Sequence, residues 1–259
     1  MNKIFALAGV VIKELYRRKD FYVLFVLTAL ITVGAGMANF FHDDKIVRYV
    51  KDLCLLLIWV SALVIAIVTT SRQIPAEREA RTIFPLLAKP VSRGQVIVGK
   101  FLGCWLATGV ALLVFYVFFA IIIGSKEQHW PVLIYLQAAW MQWLMLAIVI
   151  GMVLLGSIYF AAPSSTSTIS FVVVVGILLL GGHLNVIALQ QPEPIQTLLA
   201  VIYYGMPHLE WYDLRDFVVY NLGSASLLAT LLATLYAALW TGIFLFLAWL
   251  GFHRKSLTT

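Results

Sequence analysis

The chain is 259 residues long, 62% of them hydrophobic and only 12% charged, with a formal net charge of +6 and a mean hydropathy of +0.96. Soluble domains carry about a quarter of their residues as charges, so this composition excludes a water-soluble globular protein. It also argues against a nucleic-acid partner, because the cations form separated clusters between long apolar runs and are not gathered on one folded basic face.

In chain order, residues 1–20 come first. Ile4, Ala8, Val11, Ile12 and Leu15 recur at helical spacing on one face, with Lys13, Glu14, Arg17 and Arg18 largely off it. This pattern predicts an amphipathic surface helix lying along the inner face of a membrane, its cations near lipid phosphates. A plain cytoplasmic extension of the first span is the alternative. "RRKDF" at 17–21 resembles a twin-arginine signal, but its spacing to Phe21 is wrong and the apolar run behind it is as long as a full span. It reads as the flank of that span.

Uncharged windows then run over 21–42, 53–71, 101–125, 128–192 and 217–253. About 20 apolar residues cross the hydrocarbon core, so four of these windows hold one helix each. The window 128–192 is too long for one crossing and breaks at "AAPSSTS" (161–167), where Pro163 and the Ser/Thr cluster predict a turn and a helix cap. The expected fold is all-α: a polytopic membrane protein, one transmembrane domain over 1–259, with six spans at roughly 21–41, 52–71, 101–123, 133–160, 168–189 and 226–251. Cys54 and Cys104 both fall inside predicted spans, where small apolar residues serve helix packing, and they offer neither a disulfide framework nor a metal-ligand spacing.

Cation counting predicts orientation. Lys3, Lys13, Arg17, Arg18 and Lys19, the loop 72–100 (Arg72, Arg78, Arg81, Lys89, Arg93, Lys100), and Arg254 with Lys255 lie on one side; only Lys45, Arg48, Lys51, Lys126 and Arg215 lie on the other. The positive-inside bias places both termini and the 72–100 loop in the cytoplasm.

That loop is the most unusual passage. "GQVIVGK" (94–100) has the spacing of a phosphate-binding P-loop. Phe101 nevertheless stands where Ser or Thr would hold Mg²⁺, and the interior is Val-Ile-Val on the way into a span. No nucleotide site is expected in the chain, and no catalytic, cofactor-binding or metal site either. Glu77, Glu79 and Arg81 begin a short helix, acids suiting its N-terminal dipole, with Ile83, Leu86 and Leu87 as a small apolar face. Pro85 and Pro90 limit its length. A stiff amphipathic helix of this kind suits insertion into a partner's groove, with its charges setting register; a solvated loop with no partner is the alternative.

Further along, Gly99, Gly103 and Ala107, and again Ala225, Ala229, Ala233, Ala237 and Thr241, recur every four residues, a spacing that lets helix backbones approach. Packing within the subunit is the favoured use of both stripes. Gln137 and Gln142 are polar but uncharged and suit hydrogen bonding between helices. In the outer segment 191–225, Ile195, Leu198, Leu199, Ile202 and Tyr203 predict a short helix bounded by Pro194 and Gly205. It is too short to span, so an interfacial or re-entrant element is expected. His208, Glu210, Asp213 and Asp216 follow, with Arg215 among them and no diagnostic ligand spacing. They read as a solvated acidic loop and not as a metal site.

The run "EREARTIFPLLAKPVSR" (77–93), followed by "GKFLG" (99–103), resembles the signature of type 2 ATP-binding-cassette (ABC) exporter permeases. The resemblance covers the whole chain: surface helix, six spans, both termini inside, and a helical outer excursion before the last span. Many members carry Gly before the Thr, where Arg81 stands here. The Arg-Thr-Ile and Lys-Pro version resembles the branch that includes nitrous oxide reductase maturation (copper-processing) permeases. The resemblance implies a coupling helix at Glu77, Arg78, Glu79, Arg81 and Thr82 that docks on a separate cytoplasmic ATPase subunit. It also implies that ATP and Mg²⁺ are bound by that partner, that a second permease subunit completes a homodimer, and that the chain sits in the inner membrane of a bacterium. An ATP-independent channel or secondary carrier is the rival reading, but such proteins usually keep ionisable residues at the midplane, and the predicted spans hold none beyond Asp52 at an edge. A membrane anchor for an ATPase, without transport, would differ from a transporter in showing no substrate-dependent ATPase signal.

Overall fold

The computed structural model describes residues 2–17, 26, 30, 44–79, 92–127, 130–160, 162–190 and 192–254. Among them there is no strand. The elements are α1 (Asn2–Tyr16), α2 (Asp44–Ser71), α3 (Pro75–Glu79), α4 (Arg93–Glu127), α5 (Val132–Tyr159), α6 (Pro163–Leu189), α7 (Ile195–Gly205), a 3₁₀ turn (Leu209–Tyr212), α8 (Arg215–Val219) and α9 (Leu227–Arg254). Five described segments are long and apolar enough to cross a membrane: Arg48–Glu79, Arg93–Gly124, Val132–Tyr159, Pro163–Leu184 and Leu227–Arg254. The predicted first span, 21–41, lies outside the described residues but for Val26 and Leu30.

Three helix starts differ from the sequence expectation, each for a physical reason. α2 begins at Asp44 and α4 at Arg93, eight residues before their predicted starts, because charged residues are good or tolerable helix formers and an apolar-run criterion stops at them. α6 begins on Pro163 itself, where the missing N–H is an orphan in any case. The Ser/Thr cluster then lies inside the first turns: Thr166 Oγ1 donates to the Ala162 carbonyl (3.1 Å) and Ser167 Oγ to that of Ser164 (2.9 Å).

α5 is the central pole. Its buried side runs from Tyr135 to Ile158, and α2, α4, α6 and α9 all pack on it. α1 lies on α4. A Cβ on Gly99 would stand 2.8 Å from Leu7 Cβ, and one on Gly103 2.6 Å from Val11 Cβ, so this small-residue stripe receives α1 within the subunit. The apolar stripe of α1 is thereby turned to protein: Ala8 and Val11 are buried, while Lys3, Phe5, Val10 and Lys13 are exposed. On α9, the lower part of the alanine stripe is used in the same way. Ala237 and Thr241 are buried and Ala233 packs against the core, whereas Ala229 is exposed.

Polar ties fix α5 to α9 and to α4. Gln137 Nε2 donates to the Ala225 carbonyl (3.0 Å) and to Thr230 Oγ1 (2.7 Å), and Gln137 Oε1 accepts from Ala225 N–H (3.0 Å). Trp140 Nε1 donates to Thr234 Oγ1 at 3.3 Å, and Tyr116 donates to Gln142 Oε1 at 3.1 Å. The two glutamines therefore do bond between helices. Gln137→Leu should lower stability by about 1 kcal/mol, the scale of an interhelical polar tie in a membrane, read as a lower thermal unfolding midpoint in detergent.

Candidate functional site

The described edges of the charged loop, residues 72–79 and 92–100, lie at the end of the bundle where α2 closes and α4 begins. α2 stops through a tight turn: Gln73 N–H donates to the Thr70 carbonyl (3.1 Å), and Ala76 N–H to that of Arg72 (3.1 Å). Pro75 then opens α3, a position that costs no hydrogen bond. On the far side, Ser92 and Gln95 form a reciprocal cap at the start of α4. Gln95 N–H donates to Ser92 Oγ (3.2 Å), and Ser92 N–H to Gln95 Oε1 (3.0 Å).

Between these two edges the side chains form three clamps. Lys100, 3% exposed, donates from Nζ to the Gln73 carbonyl at 2.7 Å and stands 2.8 Å from Glu77 Oε1. A buried ammonium needs such partners to offset its lost hydration, so this pair binds α3 to α4. Arg78 Nη1 donates to the Ile158 carbonyl at 3.0 Å, in the last turn of α5. Arg93 Nη1 donates to the carbonyls of Phe252 and His253, both at 2.9 Å, in the last turn of α9, with its guanidinium 5.8 Å from the Phe252 ring centre. Both arginines satisfy carbonyls that a helix C-terminus leaves orphaned, and both place a cation at the negative end of the dipole.

The residues singled out from the sequence therefore divide. Glu77 and Arg78 are turned inward onto α4 and α5, Glu79 is exposed, and Arg81 and Thr82 lie outside the described residues. So do Ile83, Pro85, Leu86, Leu87 and Pro90. Lys100 and Arg93 were not among the expected site residues, although they make two of the three clamps. The signal available for Lys100 was its helical register: Val96, Ile97 and Phe101 beside it are all buried, so a helix continuing through them carries the lysine inward. The P-loop-like "GQVIVGK" accordingly lies within the first turns of α4, its Gly99 facing α1. Backbone N–H groups committed to a helix are not free to wrap a phosphate.

At the opposite end, two pairs form among the charged residues of 208–216. His208 Nδ1 is 3.3 Å from Glu210 Oε1, and Arg215 grips Asp213 through Nε (2.9 and 3.1 Å) and Nη2 (2.7 Å). Hydrogen bonding to Asp213 raises the Arg215 pKa, against the opposing effect of burial. The segment is stitched to α9 by Tyr212, which donates to the Ala233 carbonyl at 2.8 Å, and by Tyr236, which accepts from His208 N–H at 3.1 Å. Among the described residues, no group of three or more His, Cys, Asp or Glu is gathered. α7 runs between the expected bounds, Pro194 and Gly205, and none of its residues is buried.

The family model described as "ABC-2 family transporter protein" matches residues 10–257. Comparison with curated proteins gives no match.

Proposed function

This chain belongs to the ABC-2 transporter family, a permease component of an ABC transporter that works with an ATPase subunit, and from that premise we propose that it is an exporter permease driven through the 72–100 loop. The observation that carries the proposal is the set of three clamps. Both edges of the loop are held to the bundle, by Lys100 and Glu77 to α4, by Arg78 to α5, and by Arg93 to α9. A push on residues 80–91 would therefore reach three long helices at once. In this reading Glu79, Arg81 and Thr82 meet the cytoplasmic ATPase, and Glu77 and Arg78 keep that surface braced. ATP and Mg²⁺ belong to the ATPase, and the chain itself catalyses nothing.

The topology proposed with it has six spans, the first at 21–41, and both termini in the cytoplasm of a bacterium with the chain in its inner membrane. The bias of Lys and Arg supports this. α1 lies at the inner interface, its exposed Phe5 and Val10 beside Lys3 and Lys13. Two copies pair around the path. Within the family, Arg81-Thr82-Ile83 with Lys89-Pro90 favours the branch that includes nitrous oxide reductase maturation permeases.

The test co-expresses the chain with the ATPase encoded beside it and measures co-elution and ATP turnover. The variant is Glu79→Arg/Arg81→Glu, which leaves all three clamps intact. Affinity for the ATPase should fall at least about tenfold, the mild end of what disrupting an interfacial charge pair costs. Undiminished co-elution and turnover would reject docking at this loop.

A further inference from the structure

Opposite the clamped loop, α4 and α5 enclose a groove of about 570 Å³. Its floor is a double latch. The Trp105 and Trp143 rings stack with centroids 4.3 Å apart. Trp105 Nε1 donates to the Trp143 carbonyl at 3.1 Å, and Trp143 Nε1 returns the bond to the Trp105 carbonyl at 3.0 Å. Gly109 makes room for this, because a Cβ there would lie 2.5 Å from Trp143 Nε1. Leu113, Val117 and Leu136 form the walls, and Trp130 stands at the mouth.

Three features identify the occupant. The lining includes no charged residue; the polar atoms of Trp140, Trp143 and Tyr116 are already bonded to Thr234, Trp105 and Gln142, which leaves the buried Tyr135 hydroxyl and the Trp130 indole N–H at the mouth as its other side-chain polar atoms. Such a site offers a large apolar contact area with few polar groups and no charge, which suits a hydrocarbon. The second is its depth. Trp143 lies 11 residues beyond Val132, the first residue of α5, or about 17 Å along a helix, against about 15 Å for half of a 30 Å hydrocarbon core. The groove therefore ends blind near the bilayer middle, where an acyl chain from one leaflet also ends. A transmembrane helix of a second copy would have to continue past the floor, whereas an acyl chain from one leaflet need not. The third is Trp130, 52% exposed at the mouth, an indole placed where such side chains sit among lipid headgroups.

We propose that this groove holds one acyl chain of a phospholipid drawn from the leaflet on the Trp130 side, the outer leaflet in the topology above. The site depends only on α4 and α5 crossing the membrane and is independent of coupling to an ATPase.

The test uses the full chain in phosphatidylcholine vesicles doped with a phosphatidylcholine bearing a diazirine near the end of one acyl chain. After irradiation, adducts are mapped by mass spectrometry. Labelling at Trp143 and Leu113 is expected to exceed that at Leu235 and Leu239, on the exposed face of α9, by roughly tenfold, equivalent to about 1.4 kcal/mol of preference. Ala139→Phe, which fills the groove from its wall, should remove that excess and leave the α9 labelling unchanged. If Ala139→Phe does not fold, Val117→Trp, on the opposite wall, serves in its place. Equal labelling of groove and α9 in the wild-type chain would overturn the proposal, as would an excess that survives the filled groove. A disulfide forming between two copies of a Leu113→Cys chain would place protein, not lipid, on this face and overturn it equally.

Discussion

Glu77→Gln is expected to destabilise the chain by about 2 kcal/mol, below the range for a fully buried pair because the Glu77 side chain is 30% exposed. The loss arises at Lys100, whose ammonium stays buried with the Gln73 carbonyl and without an anionic partner. Replacing both partners with apolar groups of similar length, Glu77→Leu/Lys100→Met, removes the uncompensated charge. Buried ion pairs exchanged for packed hydrophobes are often neutral or better, so the double variant should recover most of the lost unfolding midpoint in detergent. Turnover coupled to the ATPase should not recover with it. An apolar contact is non-directional, whereas the ion pair with its carbonyl bond fixes where α3 sits on α4. A single variant as stable as wild type would show that the pair is solvated; a double variant with full coupling would reduce the clamp to a purely structural role.

The three clamps differ in what they ask of the bundle. Lys100 comes from the wall of α4, far enough in to be buried. Arg78 and Arg93 instead reach helix ends, where carbonyls are unsatisfied in any case. The Arg93 contact can break and reform as the end of α9 shifts without stranding a buried charge, whereas Nη2 of Arg78 is buried, so losing the Ile158 carbonyl would leave that cation desolvated. The fixed points of the braced loop are thus α4 and α5, and the contact with α9 is the adjustable one.

Much of this architecture is legible in the sequence, and the limits are instructive. The long apolar windows locate α4, α5, α6 and α9 because a span must exclude charges over its whole length. The helix starts are less legible, since Asp44, Arg48 and Arg93 are compatible with a helix although they end an apolar run. The charged loop stands out, but which of its charges turn inward does not. The partners of Arg78 and Arg93 lie 80 and about 160 positions away, and local spacing carries no record of such pairs. Lys51 makes the same point: counted with the charges of the outer side, it is 1% exposed on α2. The groove is legible only in part. A Trp at 105, a Gly at 109 and a Trp at 143 are visible, and their convergence depends on how α4 crosses α5.

Gly103→Ala is expected to loosen α1 from the bundle. The added Cβ would lie 2.6 Å from Val11 Cβ and 3.0 Å from the Ala8 carbonyl oxygen. Neither atom is at the end of a flexible side chain, so no rotamer change relieves the overlap and α1 itself must move. Overpacking of this kind costs about 1–3 kcal/mol, partly offset by up to about 1 kcal/mol because Ala is the better helix former. Gly242→Ala isolates the second effect: Gly242 lies in α9 with nothing within 4 Å of the position its Cβ would take, and there the substitution should be neutral or stabilising. Protease cleavage within α1 should accelerate in Gly103→Ala and stay at the wild-type rate in Gly242→Ala. Val11→Gly combined with Gly103→Ala removes the opposing Cβ, so the proteolysis rate should fall back even though a helix glycine costs some stability of its own. If the double variant is cleaved as fast as Gly103→Ala alone, contact at Val11 is not what seats α1 on α4.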